Sequence, residues 1–561
     1  MKGRKLLAWM LIIILAFGVV GCTTPGSEEP EAPAEEPEEP ADGEEPEEGE
    51  EAPAEESAKI LTYSLTADVP TLDQHLANSI PSTTVGHQIF EGLIRTYQGE
   101  VRPGIAEDWD MSEDGTVYTF YLRDAQWSDG EPVTAQDFEY SFRRLLDPET
   151  ASGYAFIGMA LKNANAVNKG EVPVEELGVR AIDEKTLEVE LENPAGYFLS
   201  MLSMMQFAPT RQDYVEEYGK DYAANAENNA YNGPFVVKEW RHEDRLILEK
   251  NPNYWDADSI NLDEVHIIIV PDQMTALAMF EDGELDMVEV PAEVVSQYED
   301  DVEYYYNGAN DFIKLQMDGS SPLENKDLRL ALNYALDRQE FIMLSTGGLY
   351  DPNPRYVLPQ VNGVDGEYGD EYPYEAYPVE GDVDTALEHL DAAMEALGVS
   401  DPSEIELELL TTDVERTRKE AEIIQDDLES KLGIKINIRQ VPYKQRLEME
   451  GNKEFEMVVT GWAPDYSDPM TYLELWTTDS GYNHGSYSNP EYDAKIELAR
   501  TSTDPQERMD AMFEAEKILL EDGAIIPLQL RRIAMLTNPD LVGFESYFVG
   551  LSYEYTYADF K

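Results

Sequence analysis

Nine consecutive residues, Gly461-Trp462-Ala463-Pro464-Asp465-Tyr466-Ser467-Asp468-Pro469, carry the side chains in this chain best suited to hold a ligand. Asp465 offers a negative charge to a cationic group, and Trp462 or Tyr466 offers an apolar wall beside it. Pro464 and Pro469 restrict the backbone and shape the loop. Residues 455–460 just upstream read as a strand, so the loop stands at a strand's end, where binding groups are often displayed. A structural reading fits the same residues: Asp465 caps a turn and Trp462 fills the core. Asp465 and Asp468 also form a carboxylate pair, but their spacing defines no scissile bond between them.

Other chemistries find little support. The six histidines, His75, His87, His242, His266, His389 and His484, contain no His-x-x-x-His pair, and the chain has one cysteine. Neither a glycine-rich phosphate loop ending in Lys-Ser or Lys-Thr nor a Gly-x-Ser-x-Gly elbow is present. The expectation is a protein with no catalytic residue, no metal and no cofactor, and therefore not an enzyme.

The single thiol has a chemistry of its own. Basic Lys2, Arg4 and Lys5 precede an apolar run over residues 6–20, and Gly21-Cys22 follows. This is the form of a bacterial lipoprotein signal, in which Cys22 is acylated and residues 1–21 are removed. An ordinary secretory signal or membrane anchor is the other reading; both place the rest of the chain outside the cytoplasm. Residues 23–58 contain sixteen acids, no Lys or Arg, and no aromatic or long aliphatic side chain. Such a segment buries too little apolar surface to offset the entropy of ordering. With Cys22 it reads as an extended tether, 22–58, reaching about 110 Å at most. The formal net charge of −75 argues against nucleic acid or an anionic bilayer as a general partner.

The loop and its ligand need a scaffold. Residues 60–65, 117–122, 186–192, 235–239, 246–249 and 265–270 read as strands, and Thr134 with Asp137 has the spacing of a capping box. The second half alternates: a helix over 327–338, a strand over 405–410, a helix through Ala421, Ile424, Leu428 and Leu432 stopped by Gly433, and a strand over 434–438. Asp504-Pro505 then caps a helix that exits at Gly523. This order predicts an α/β protein.

Several segments carry a family resemblance. They include Leu72-Asp73, Phe90-Glu91-Gly92-Leu93, Pro103-Gly104-Ile105-Ala106-Glu107-Asp108-Trp109 and Trp127-Ser128-Asp129-Gly130-Glu131-Pro132-Val133-Thr134-Ala135. Asn232-Gly233-Pro234-Phe235, Asn251-Pro252-Asn253-Tyr254-Trp255 and Asp337-Arg338 add to them. The chain resembles the extracytoplasmic solute-binding proteins of peptide and nickel ABC importers, bacterial solute-binding protein family 5, and within it the oligopeptide-binding lipoproteins. The resemblance implies a periplasmic-binding-protein-like type II fold of two lobes and a hinge, with an extra inserted domain (the cluster C type). It implies a first lobe over 59–90, 209–310 and 532–561, an inserted domain over 91–208, and a second lobe over 311–531.

It also implies roles. Asp465 falls where the family's acid receives a peptide's ammonium terminus, and Tyr154 where a tyrosine faces the peptide. Tyr443 aligns with an aromatic pocket residue or is a surface aromatic beside a strand. The family's carboxylate-binding arginines are replaced here by Glu450 and Val459, which leaves Arg416 and Arg418 as candidates for that task. The implied partners are an oligopeptide, membrane permease subunits and, through them, ATPases; the receptor is expected to be a monomer lipid-anchored on the outer face of the cell membrane. Two alternatives remain: a receptor for a nickel chelate or oligosaccharide on the same scaffold, and a peptide-sensing or adhesive lipoprotein outside nutrient uptake.

Overall fold

Alternating apolar residues make Ile60–Leu65 and Glu264–Ile269 a parallel pair, with Leu61, Tyr63, Val265 and Ile267 turned into the core. The computed structural model describes residues 58–77, 79–97, 100–546, 548–549 and 553–561. The signal segment 1–21, Cys22 and nearly all of the tether lie outside the described residues.

This pair belongs to an eleven-stranded sheet among the described residues. From one edge the order is Lys435–Val441, Glu406–Thr412, Met457–Trp462, Glu303–Leu315, Ile525–Thr537, Met287–Glu289, Ile60–Leu65, Glu264–Ile269, Arg245–Lys250 and Phe235–Arg241; Asp351–Pro352 pairs with Ile525–Thr537 off this path. Two 13-residue strands, Glu303–Leu315 and Ile525–Thr537, run antiparallel to each other. The end of the first pairs with Met457–Trp462, and the end of the second with Met287–Glu289. Their mutual register breaks between Tyr306 and Asn310 and again between Asp311 and Phe312. Positions 310/311 and 531/532, where the sequence reading divides the lobes, fall inside these crossing strands.

Gly308 lies inside the first register break with φ +79°, and a Cβ there would collide with the carbonyl oxygen of Phe548. Only glycine takes both the positive φ and the close approach without strain.

A separate four-stranded antiparallel sheet, in the order Ala106–Met111, Val117–Leu122, Thr186–Glu190, Val179–Asp183, lies within residues 91–208. The helix Ala135–Leu146 packs Phe138, Phe142 and Leu145 into the same core as Phe120 and Leu187. Its start is fixed locally: the Asp137 carboxylate accepts from the Thr134 backbone N–H at 2.9 Å and from its hydroxyl at 3.0 Å.

The helix expected over 327–338 is two helices. Lys326–Ala335 ends before Leu336, and Asp337 caps Arg338–Thr346 by accepting from the Glu340 N–H at 2.8 Å. Arg338 is fully buried, donating to the carbonyls of Pro527 at 2.7 Å and Asn333 at 3.2 Å. Among the described residues no carboxylate pairs with it, and burial lowers its pKa to about 10.

Candidate ligand-binding cleft

The loop 461–469 follows the strand Met457–Trp462 and is pinned from several sides. Asp468 forms a two-point ion pair with Arg508, at 2.6 and 2.8 Å, and its Oδ1 also accepts from the Met470 N–H at 2.9 Å. The backbone N–H of Asp465 donates to Thr471 Oγ1 at 3.1 Å. These contacts leave the Asp465 carboxylate itself unclaimed: among the described residues, no donor reaches it.

Asp465 lines a cavity of about 590 Å³ with Tyr154, Met204, Gln206, Glu289 and Tyr553. It also borders a side chamber of about 30 Å³ that holds His87, Glu91, Arg95 and Glu554. Enclosure in protein, reinforced by the nearby Glu474 carboxylate, raises the pKa of Asp465 to about 7. Arg95 does not relieve it, since its guanidinium is bound to Glu91 at 3.0 Å and Glu554 at 2.9 Å.

A second cavity of about 540 Å³ adjoins the first, and Ala309, Ala463 and Arg531 line both. Its walls carry Lys314, Arg416, Arg446 and Arg531 against Asp311, Glu420 and Glu450. Arg531 grips Asp311 at 2.6 and 2.9 Å, and Arg416 meets Glu420 at 2.8 Å. Glu450 takes both Lys314 at 2.7 Å and Arg446 at 2.8 Å, with His484 Nδ1 3.7 Å away. Burial alone would raise Glu450, but His484, Lys314 and Arg446 together hold it at about 2. Burial works against the charge on Lys314 and lowers its pKa. One acid shared by two cations leaves positive charge in excess on this wall. The cleft is thus acidic at one end and cationic at the other.

The expected site residues separate. Tyr154 lines the first cavity with Asp465, while Trp462, Tyr443 and Arg416 line the second. Tyr443 is 60 % exposed, standing at the rim. Two of the expected residues lie away from both cavities. Tyr466 is buried and lines neither cavity: its ring stacks on Tyr197 at 4.6 Å and its hydroxyl donates to Glu474 at 3.1 Å. Arg418 also lines neither, because the helix Glu415–Leu432 turns it outward to pair with Glu422 at 3.3 Å. The cations Lys314, Arg446 and Arg531 were not singled out in the sequence. They come from three separate segments, and nothing local marks them as neighbours.

The 91–208 segment makes two ring contacts with residues 466 and 482. Tyr197 stacks on Tyr466, and Phe156 meets Tyr482 edge-on at 6.1 Å. Among the described residues no group of three or more His, Cys, Asp or Glu is placed to hold a metal ion, and no helix is long and apolar enough to cross a membrane.

A sequence model of bacterial extracellular solute-binding proteins, family 5 Middle, matches residues 100–484. The chain belongs to this family. It is 30% identical to the dipeptide-binding protein DppE of Bacillus subtilis over 98% of this chain and 97% of that protein. A solved substrate-binding domain of an oligopeptide ABC transporter from Bacillus anthracis superimposes with a TM-score of 0.73 at 33% identity, covering 90% of this chain and 99% of that one. Listeria monocytogenes OppA bound to peptide gives the same TM-score at 32% identity and the same coverage. The two-lobed, type II periplasmic-binding-protein-like α/β fold is therefore established, and the protein is an extracytoplasmic solute receptor, a binding protein rather than an enzyme.

Proposed function

We propose that this family 5 protein captures oligopeptides outside the cytoplasm and delivers them to an ABC-type importer. The observation that carries the reading is Asp465: an enclosed carboxylate that no hydrogen-bond donor reaches among the described residues, at the acidic end of a cleft whose other end is cationic. A peptide's ammonium supplies the missing countercharge, since a buried charge without a partner is strongly disfavoured. Its carboxylate is met by the excess cations around Glu450, with Lys314 and Arg446 in the leading role and Arg416 beside them. Tyr154, Trp462 and Tyr443 bound the space for side chains. The neighbouring relatives, named for dipeptides and oligopeptides, support this reading over nickel chelates or oligosaccharides.

In the same reading, residues 91–208 are the inserted domain, the lobes meet at the crossing strands, and acylated Cys22 holds a monomeric receptor at the membrane through the 22–58 tether. Permease subunits and their ATPases perform the transport itself.

Mass spectrometry of ligand released from natively purified protein is expected to show residue-mass ladders of peptides. Calorimetry with a mixed free-amino peptide library is expected to show binding. A released sugar or metal complex, with no heat from any peptide, overturns the proposal.

The Tyr197–Tyr466 stack gives a further expectation. Losing an aromatic pair of this kind costs about 0.5–1.5 kcal/mol. If peptide binding draws on closure, Tyr197→Ala lowers peptide affinity about three- to ten-fold, read as faster dissociation in stopped-flow. An unchanged dissociation rate would show that the stack does not hold the closed form together.

A further inference from the structure

The first cavity contains a second carboxylate that a peptide terminus does not use. Glu289 ends the strand Met287–Glu289 and lines this cavity together with Asp465. Its Oε1 accepts from the Tyr553 hydroxyl at 2.8 Å, and among the described residues no donor reaches Oε2. Burial raises its pKa, and the Tyr553 hydrogen bond only partly opposes this. Arg531, which also lines this cavity, is paired with Asp311 through its Nε and Nη2. Leu65, Ala276, Val288 and Ile533 form the apolar lining around Glu289. A flexible apolar stem with a cationic head suits such a wall: methylenes lie on the apolar lining and the head reaches the acid.

The position of that side chain along a peptide follows from how the cavities connect. With the ammonium on Asp465, the backbone leaves past Ala309, Ala463 and Arg531, which line both cavities. The side chain that stays beside the terminus is that of the first residue. We infer that Glu289 makes this receptor selective for peptides whose first residue carries a cationic side chain. This selectivity rests on the peptide-binding reading above.

The test is calorimetry on the full chain at pH 7.5 with Lys-Ala-Ala, its neutral counterpart norleucine-Ala-Ala, and Ala-Lys-Ala. Lys-Ala-Ala is expected to bind about ten-fold tighter than either of the others, the scale of one charge-assisted hydrogen bond. In Glu289→Gln that difference is expected to vanish while norleucine-Ala-Ala stays within about two-fold of wild type. Glutamine keeps an acceptor for Tyr553, a melting curve checks the variant's fold, and the wild-type comparison of lysine with norleucine needs no variant. Equal affinity for the lysine and norleucine peptides, preference for Ala-Lys-Ala, or a lysine preference that survives Glu289→Gln overturns the selectivity alone. No binding of any of the three overturns both the selectivity and the peptide reading.

Discussion

Asp465→Asn is expected to weaken binding of free-amino peptides by about 10²–10⁴-fold and to leave the fold intact. Removing one partner of an enclosed ion pair costs about 3–5 kcal/mol, because the remaining charge stays buried. Asparagine matches aspartate in shape, and the Asp465 carboxylate anchors no neighbour among the described residues, so the loop keeps its other contacts. The same carboxyl sets a pH dependence. Its pKa in the folded, ligand-free protein is about 7, above that of an ordinary aspartate. Between pH ~4 and ~7 the folded protein holds a proton there that the unfolded chain has released. The stability from this group is therefore fully present below pH ~4 and is lost as pH rises through ~7. A peptide ammonium needs the ionised form, so affinity falls as pH drops below ~7, by up to about ten-fold per unit. Glu474, whose charge adds to the effect of burial on Asp465, is itself raised by burial, with Arg500 opposing, and repulsion between the two acids broadens the dependence. Calorimetry from pH 5.5 to 8.5 on wild type and Asp465→Asn checks both parts. A flat wild-type profile with unchanged affinity in the variant would remove Asp465 from the binding mechanism.

The Arg508–Asp468 pair is expected to matter nearly as much, through stability first. Both side chains are buried, and Asp468 holds the turn that presents Asp465. Arg508→Met strands the Asp468 carboxylate, with an expected loss of about 3–5 kcal/mol in unfolding free energy. Peptide affinity should fall as well, because the loop loses its anchor. Adding Asp468→Asn removes the stranded charge, so the double variant is expected to regain much of the stability. Chemical denaturation of the two single variants and the double one measures the coupling. Additive losses would mean that the pair is two independent contacts rather than one unit.

Much of this architecture could be read from local sequence, and the reasons are specific. Asp504 caps its helix through the N–H groups of Gln506 at 2.9 Å and Glu507 at 3.3 Å, and Gly433 takes φ +68° after Leu432. Both depend on residues within a few positions, so spacing alone reveals them. The break at Leu336 is harder to see: Asp337 caps the next helix locally, but the Arg338 side chain is committed to the Pro527 carbonyl, 189 positions away. Asp465 stood out because a carboxylate between prolines and aromatics at a strand's end is unusual on its face. Tyr466 had the same local credentials but a distant partner, Tyr197, that turns it into a contact between walls. Glu450 illustrates the limit in the other direction. In sequence it looks like a lost positive charge; in space it gathers Lys314 and Arg446 from either side.

The crossing strands have a mechanical consequence. Their ladder is already interrupted over Asn307–Ala309, so a change in the angle between the jaws can be taken up as torsion there. No hydrogen-bonded rung needs to be unzipped. The scaffold then adds little elastic resistance of its own, and residence time is governed by what the guest's two ends hold on to. In the ligand-free protein the amide protons of Asn307 and Gly308, which lie outside the ladder, should exchange with solvent faster than their neighbours at 312–314.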